Sequence, residues 1–209
     1  MCDFFLNVVA GIIGIVFVLF IDRTKRPLLI IEQGEITYME PGDQLGRKEA
    51  AFPYIKITNK PIYPLWGFFH DREPAYACKA WITFLDLNNK NLFKEEMLGR
   101  WTKNPEPHIY EIKKNNKIFR QIISIRDTFD IHPNEPVSLN TIVKIKDDKN
   151  CYGWSDFSYL HGWDNSDWEI TEGKFIIQIR IRTGGREFVK KFGIENNENY
   201  KELKFFQIK

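Results

Sequence analysis

Two kinds of side chain in this 209-residue sequence could do chemistry if the fold gathered them. His70, His108, His132 and His161 could ligate a metal or move a proton, and Cys78 and Cys151 could act as nucleophiles or pair in a disulfide. Their spacing favours none of these uses. No histidine is spaced to a second His or Cys as a metal site requires, and the two cysteines stand alone. The sequence has no phosphate-binding glycine loop ending in Lys-Ser/Thr, no Gly-x-Ser-x-Gly elbow and no His-Glu-x-x-His pair. The expectation is no catalytic set, no metal and no cofactor. An unrecognised hydrolase stands as a rival reading, because catalytic groups converge in space and need not announce themselves in sequence.

Binding chemistry has two better candidates. The stretch CYGWSDFSYLHGWDNSDWE, residues 151–169, packs Trp154, Trp163 and Trp168 among Tyr152, Phe157 and Tyr159. Exposed rings stack on sugar faces, and Asp164, Asn165, Asp167 and Glu169 could offer oxygens to hydroxyl groups or to calcium. Alternating aromatics in a strand more commonly fill a core, and four oxygen side chains without a fixed loop pattern fall short of a calcium site. The second candidate, IYPLWGFFHDREPAY at 62–76, places Trp66, Phe68 and Phe69 in a proline-bounded connection. Exposed, these rings would form an adhesive patch toward the bilayer or a partner; folded over one end of the domain, they would be core.

The elements that must position these side chains are strands. In YACKAWITF, Tyr76, Cys78, Ala80, Ile82 and Phe84 fall on one side while Lys79 and Thr83 mark the other; KFIIQIRIR sends Phe175, Ile177, Ile179 and Ile181 inward. VSLNTIVKIK places Val137, Leu139, Thr141, Val143 and Ile145 inward and Ser138, Asn140, Lys144 and Lys146 outward. Further strands are expected over 27–32, 52–58, 119–125, 151–159, 186–194 and 203–208. Thr183-Gly184-Gly185-Arg186 predicts a tight hairpin, since paired glycines accept the positive φ of a primed turn. Recurrent Asn/Pro/Gly stretches leave room only for short helices at 94–100 and 195–203.

Ahead of the strands, Phe4 to Ile21 carries no charge and one polar side chain, Asn7. Eighteen helical residues span roughly 27 Å against a hydrocarbon core of roughly 30 Å, so residues 1–26 read as a transmembrane anchor with a basic collar and 27–209 as one domain. No basic leader or small-x-small cleavage site marks the run as a removable signal peptide. Arg23, Lys25 and Arg26 follow the apolar run and no basic side chain precedes it, which favours a cytoplasmic domain. Ala10 and Gly14, four apart, would let two such helices approach closely, so a homodimer through the span is one expectation. Residues 22–209 hold 30 basic and 27 acidic side chains, a balance that supplies no general basic face for nucleic acid.

RPLLIIE after the anchor, ITNKP, AYACKAWITF, GRWT and DIHPNE together resemble a group of prokaryotic single-pass membrane proteins with an immunoglobulin-like domain. The resemblance implies architecture and carries no activity or site residue. The fold expected is all-β: an immunoglobulin-like antiparallel β-sandwich of about eight or nine strands after one N-terminal transmembrane helix. The function expected is a membrane-tethered, non-enzymatic module that engages a protein partner near the bilayer. Its main rival is an outward-facing sandwich that binds carbohydrate or another surface through the 151–169 aromatics.

Overall fold

The computed structural model describes residues 2–39, 48–62, 71–114, 117–123, 126–160 and 163–208, with side chains from residue 8 onward and without those of 122 and 123. One helix, α1 (Cys2–Lys25), leads into the strands β1 (Leu29–Met39), β2 (Ala50–Asn59), β3 (Ala75–Leu85), β4 (Met97–Leu98) and β5 (Arg100–Trp101). After these come β6 (His108–Lys114), β7 (Lys117–Ile123), β8 (Thr128–Ile131), β9 (Val137–Asn140), β10 (Ile142–Ile145) and β11 (Cys151–Gly153). The chain closes with β12 (Glu169–Ile170), β13 (Lys174–Thr183), β14 (Arg186–Glu195) and β15 (Lys204–Gln207), and short 3₁₀ turns occupy Asp156–Leu160, Ser166–Trp168 and Tyr200–Glu202.

The strands form antiparallel sheets. One sheet runs β12-β11-β10-β2-β9-β5 with β1 along the free side of β2, the second runs β15-β14-β13-β3-β4 with β8 beside β3, and β6-β7 stand apart as a hairpin. Both large sheets feed one core: Ile55, Ile57 and Leu139 from the first join Phe84, Ile177 and Ile179 from the second, all at most 1% exposed. A second cluster lies elsewhere on the first sheet, where Val143, Ile145, Tyr152 and Trp154 gather with Phe52, Tyr159 and Trp163 around them.

The longest strands obey their alternation. β13 buries Phe175, Ile177, Ile179 and Ile181 and turns back through Gly184 and Gly185, at φ +50° and +75°, so that Thr183 pairs with Arg186. β3 keeps Cys78, Ala80, Ile82 and Phe84 inside, but Tyr76 is 61% exposed rather than inward. A shift in register between Ala75 and Cys78, with Ala77 at φ +47°, inserts a residue and turns Tyr76 out.

Four expectations need correction. There are fifteen strands among the described residues instead of eight or nine, because pairs such as β4, β5 and β12 are too short to show a period. The 94–100 stretch forms β4 and β5 rather than a helix, and 195–203 holds only the 3₁₀ turn Tyr200–Glu202. The 151–159 strand stops at Gly153. Finally, 137–146 is two strands parted at Thr141, so Val137, Leu139 and Ile142 join the shared core while Val143 and Ile145 join the second cluster.

That break puts Lys144 inside. Its side chain is 0% exposed, paired across the sheet with Cys151, and its Nζ has no hydrogen-bond partner among the described residues. Burial holds its pKa below the ordinary lysine value. Lys144→Met is expected to raise stability by about 1–3 kcal/mol, the range for relieving a buried polar group left without a partner, as measured by urea unfolding at pH 7.

Gly153 lies where the two sheets close on each other. A Cβ there would sit 2.7 Å from Met97 Sδ, 2.9 Å from Trp168 Cβ and 3.1 Å from Phe84 Cζ. Gly153→Ala is expected to cost about 1–3 kcal/mol through overpacking, read from the same unfolding curves.

Among the described residues no helix is long and apolar enough to cross a membrane. In α1 the described side chains begin at Val8, so the uncharged run whose side chains are described, Val8 to Ile21, is fourteen residues. That length is about 21 Å of helix. Its apolar side chains from Val8 to Phe20 are exposed on every face, from Val9 at 37% to Val18 at 64%, and Ala10, Gly11 and Gly14 lie open. Arg23, Lys25 and Arg26 close the helix and its exit, with Arg26 paired to Asp22 at 2.6 Å.

Candidate functional site

The sheet carrying the second cluster forms the floor of a groove of about 880 Å³. Alternate residues of four adjacent strands face it: Thr37 and Met39 from β1, Phe52 and Tyr54 from β2, Ser138 and Asn140 from β9, Arg100 and Thr102 at β5. One wall is the chain after β11, where Trp154, Tyr159, Trp163 and Asp164 line the space; Asn104 and Glu106 border it from the segment leading into β6.

The aromatic wall is tightly locked. Trp154 is 4% exposed and meets Phe52 at 5.1 Å, Tyr159 at 5.2 Å and Trp163 at 5.7 Å between ring centroids. Phe52 meets Trp163 edge to face at 5.4 Å, giving a set of mutually tilted rings of the kind that adds specific geometry to simple burial. Thr141 ties the wall to the floor, since its carbonyl accepts from Trp154 N–H at 3.0 Å and its hydroxyl donates to Pro53 O at 2.8 Å. Ser158, fully buried, accepts from Ser155 N–H and donates to Gly153 O, folding Asp156–Leu160 into its turn. Trp163 sits at φ +82°, a conformation that non-glycine residues rarely hold and that concentrates at functional sites.

Two ion pairs frame the groove. Arg100, 4% exposed, lies 2.7 Å from Asp156, donates to the carbonyls of Trp101, Asn104 and Pro105 at 3.0–3.1 Å, and stacks over the Tyr159 ring at 5.2 Å. It therefore joins floor, rim and wall. Burial raises the Asp156 carboxyl pKa above its ordinary value, with Arg100 pulling the other way. Further along the same wall Lys48 meets Asp164 at 2.7 Å, a half-exposed pair of little energetic weight.

The residues singled out from sequence are divided by this geometry. Trp154, Trp163 and Asp164 come together at the groove. Trp168 turns away to pack with Phe84 and Phe93, and Asp167 lies exposed in the 3₁₀ turn that Asn165 caps. The three tryptophans thus make no flat row in solvent. Glu169 accepts a hydrogen bond from Asn150, so the 151–169 oxygens do not converge, and no group of three or more His, Cys, Asp or Glu among the described residues could hold a metal ion. Trp66, Phe68 and Phe69, with His70 and His161, lie outside the described residues. His108 and His132 are exposed, one at the start of β6 and one just after β8. Cys78 and Cys151 are free buried thiols, and burial pushes their pKa values up to about 11 and about 12. They are thiols, not thiolates, at neutral pH.

Sequence reasoning missed Arg100 and Asp156, separated by most of a sheet's worth of chain, and the floor residues Phe52, Tyr54, Ser138 and Asn140. An arginine between Gly99 and Trp101 in an otherwise apolar setting was the available signal. No protein-family model, curated protein or solved structure matches this chain.

Proposed function

We propose that the chain is a non-enzymatic binding module, tethered to a membrane by α1, whose groove receives a segment of a protein partner held near the bilayer. The single observation that carries this reading is the groove itself: a built concavity with aromatic wall, polar floor and a buried, ion-paired arginine, as binding sites are commonly made. Tethering would raise the effective concentration of the groove toward other membrane components. The tether draws support from the apolar surface of α1, exposed all round within the chain, and from the run Phe4-Phe5-Leu6 that extends it in sequence. Arg23, Lys25 and Arg26 favour a cytoplasmic domain, and two free thiols agree with a reducing compartment. A pair of α1 helices could also meet through Ala10 and Gly14. We read the two sheets sharing one core as an immunoglobulin-like sandwich.

A photo-crosslinking side chain at Thr102, exposed on the groove rim, tests the reading against the same probe at Leu87, exposed away from it. In native membranes Thr102 is expected to trap a discrete polypeptide that Leu87 does not, with the adduct lost in Trp163→Ala. Equal labelling at both positions would sink the groove as a partner site. A second reading, a carbohydrate site on an outward-facing domain, is favoured by half-buried Tyr54 and Trp163 lying beside Asn104, Asn140 and Asp164. An adduct that resists protease and yields to glycosidase would select it, as would digestion of the domain by protease added to whole cells.

A further inference from the structure

Where α1 enters the domain, two arginine side chains reach the same short stretch of backbone. Arg72 Nη1 donates to Arg26 O at 2.5 Å, and Arg186 Nη1 donates to Pro27 O at 2.6 Å, so two guanidinium groups, one from the segment before β3 and one from the start of β14, converge on adjacent peptide carbonyls. Glu73 N–H also donates to Lys25 O at 2.8 Å, fixing the segment that carries Arg72 against the helix end.

Charge at this junction is unbalanced. Neither Arg72 nor Arg186 lies within ion-pair distance of a carboxylate among the described residues, and Arg72 Nε is buried with no partner there. The neighbouring carboxylates are engaged or turned elsewhere: Asp22 pairs with Arg26, Glu187 with Arg182 and Arg180, and Asp71 and Glu73 are exposed. Burial, and after it the charge of Arg186, hold the Arg72 pKa below the ordinary arginine value. Two cations gathered on adjacent carbonyls repel each other, and a bound anion would relieve that cost.

We propose that Arg72 and Arg186 form a site for a phosphate-bearing anion, and that its occupant is the headgroup of an anionic phospholipid. Guanidinium forks match phosphate oxygens two at a time, and spare N–H groups remain on both arginines after their single carbonyl contacts. The site sits where the apolar helix gives way to Asp22, Arg23, Lys25 and Arg26, which is the depth of the headgroup layer if α1 lies in a bilayer. The inference rests on the tethered reading in that respect. It also assigns the two arginines a role in setting how the domain is held at the surface.

The test uses the full-length protein in neutral detergent micelles doped with phosphatidylglycerol, phosphatidylcholine or neither, followed by native mass spectrometry and thermal melting. Retention of phosphatidylglycerol over phosphatidylcholine, falling at least tenfold in Arg72→Gln/Arg186→Gln and recovering in part when both are Lys, is the expected result. Equal retention of the two lipids, or no change in the glutamine variant, overturns the site. Stabilisation by inorganic phosphate equal to that by phosphatidylglycerol overturns the lipid as its occupant. Melting without lipid, matched between wild type and the lysine variant, separates binding from folding. Extraction of membranes at high carbonate keeps the two readings apart: chain retained in the pellet with no lipid preference sinks this inference alone, whereas chain released to the supernatant sinks the tether.

Discussion

Arg100→Ala is expected to lower stability by about 3–5 kcal/mol, a fall in Tm of roughly 6–20 °C for a chain of this size, and to abolish whatever the groove binds. The magnitude follows from what the substitution leaves behind. Asp156 would remain almost fully buried without its cation, the carbonyls of Trp101, Asn104 and Pro105 would each lose a donor, and Tyr159 would lose the group stacked on its ring. The burial that raises the Asp156 pKa would then act unopposed, so the variant should recover part of its stability as pH falls and the carboxyl takes up a proton. Arg100→Met/Asp156→Asn removes both charges and is expected to regain most of the loss, because a buried pair contributes little net beyond an apolar replacement. Thermal melting of the three proteins at pH 5 and pH 7 checks this. A loss below about 1 kcal/mol in Arg100→Ala would show that Asp156 finds water or another donor, and would remove the staple between wall and floor.

That staple also shows why the candidate site was only partly legible in sequence. Alternation is a local property, so β3, β13 and β14 and the Gly184-Gly185 turn could be read directly, and the core residues expected of β3 and β13 sit inside, Tyr76 apart. The groove depends on four strands lying side by side, and no local pattern brings Phe52 on β2 toward Trp154 beyond β11. The aromatic richness of 151–169 was visible, but its division was not. Trp154 and Trp163 face the groove while Trp168 faces the shared core, because the chain leaves the sheet after Gly153 and returns through two 3₁₀ turns. One irregularity has a similar effect on sidedness: the break at Thr141 reverses the polarity assigned to Lys144, which an unbroken strand would have turned to solvent. β6 and β7 carry Ile109, Ile112, Ile118 and Phe119 in exposed positions of a separate hairpin, so burial gave that region no clean amphipathic signal.

Above pH 9 the chain is expected to lose stability steeply, and Cys151 is the main cause. Its thiol is fully enclosed, next to Lys144 across the sheet, and burial pushes its pKa from an ordinary 9.0 up to about 12. Below pH 9 the folded and unfolded chains both keep the proton and the contribution is fully present; above it the unfolded chain ionises while the folded one does not. The loss approaches about 1.4 kcal/mol per pH unit and, over the three units to pH 12, about 4 kcal/mol. Cys78, raised to about 11, acts in the same direction, and Tyr152, also raised and bonded to Asp148 at 2.8 Å, joins once its unfolded form ionises near pH 10. Lys144 acts oppositely: its folded pKa is lowered, so the unfolded chain holds the extra proton and stability rises with pH until 10.5. Urea unfolding between pH 8 and 10 should therefore show a shallower decline in Cys151→Ala than in wild type, a small rise in Cys78→Ala/Cys151→Ala where Lys144 is left to dominate, and the steepest decline in Lys144→Met. Parallel slopes for wild type and Cys151→Ala would mean that the thiolate is tolerated in place, through water or through Lys144 acting as its counter-charge.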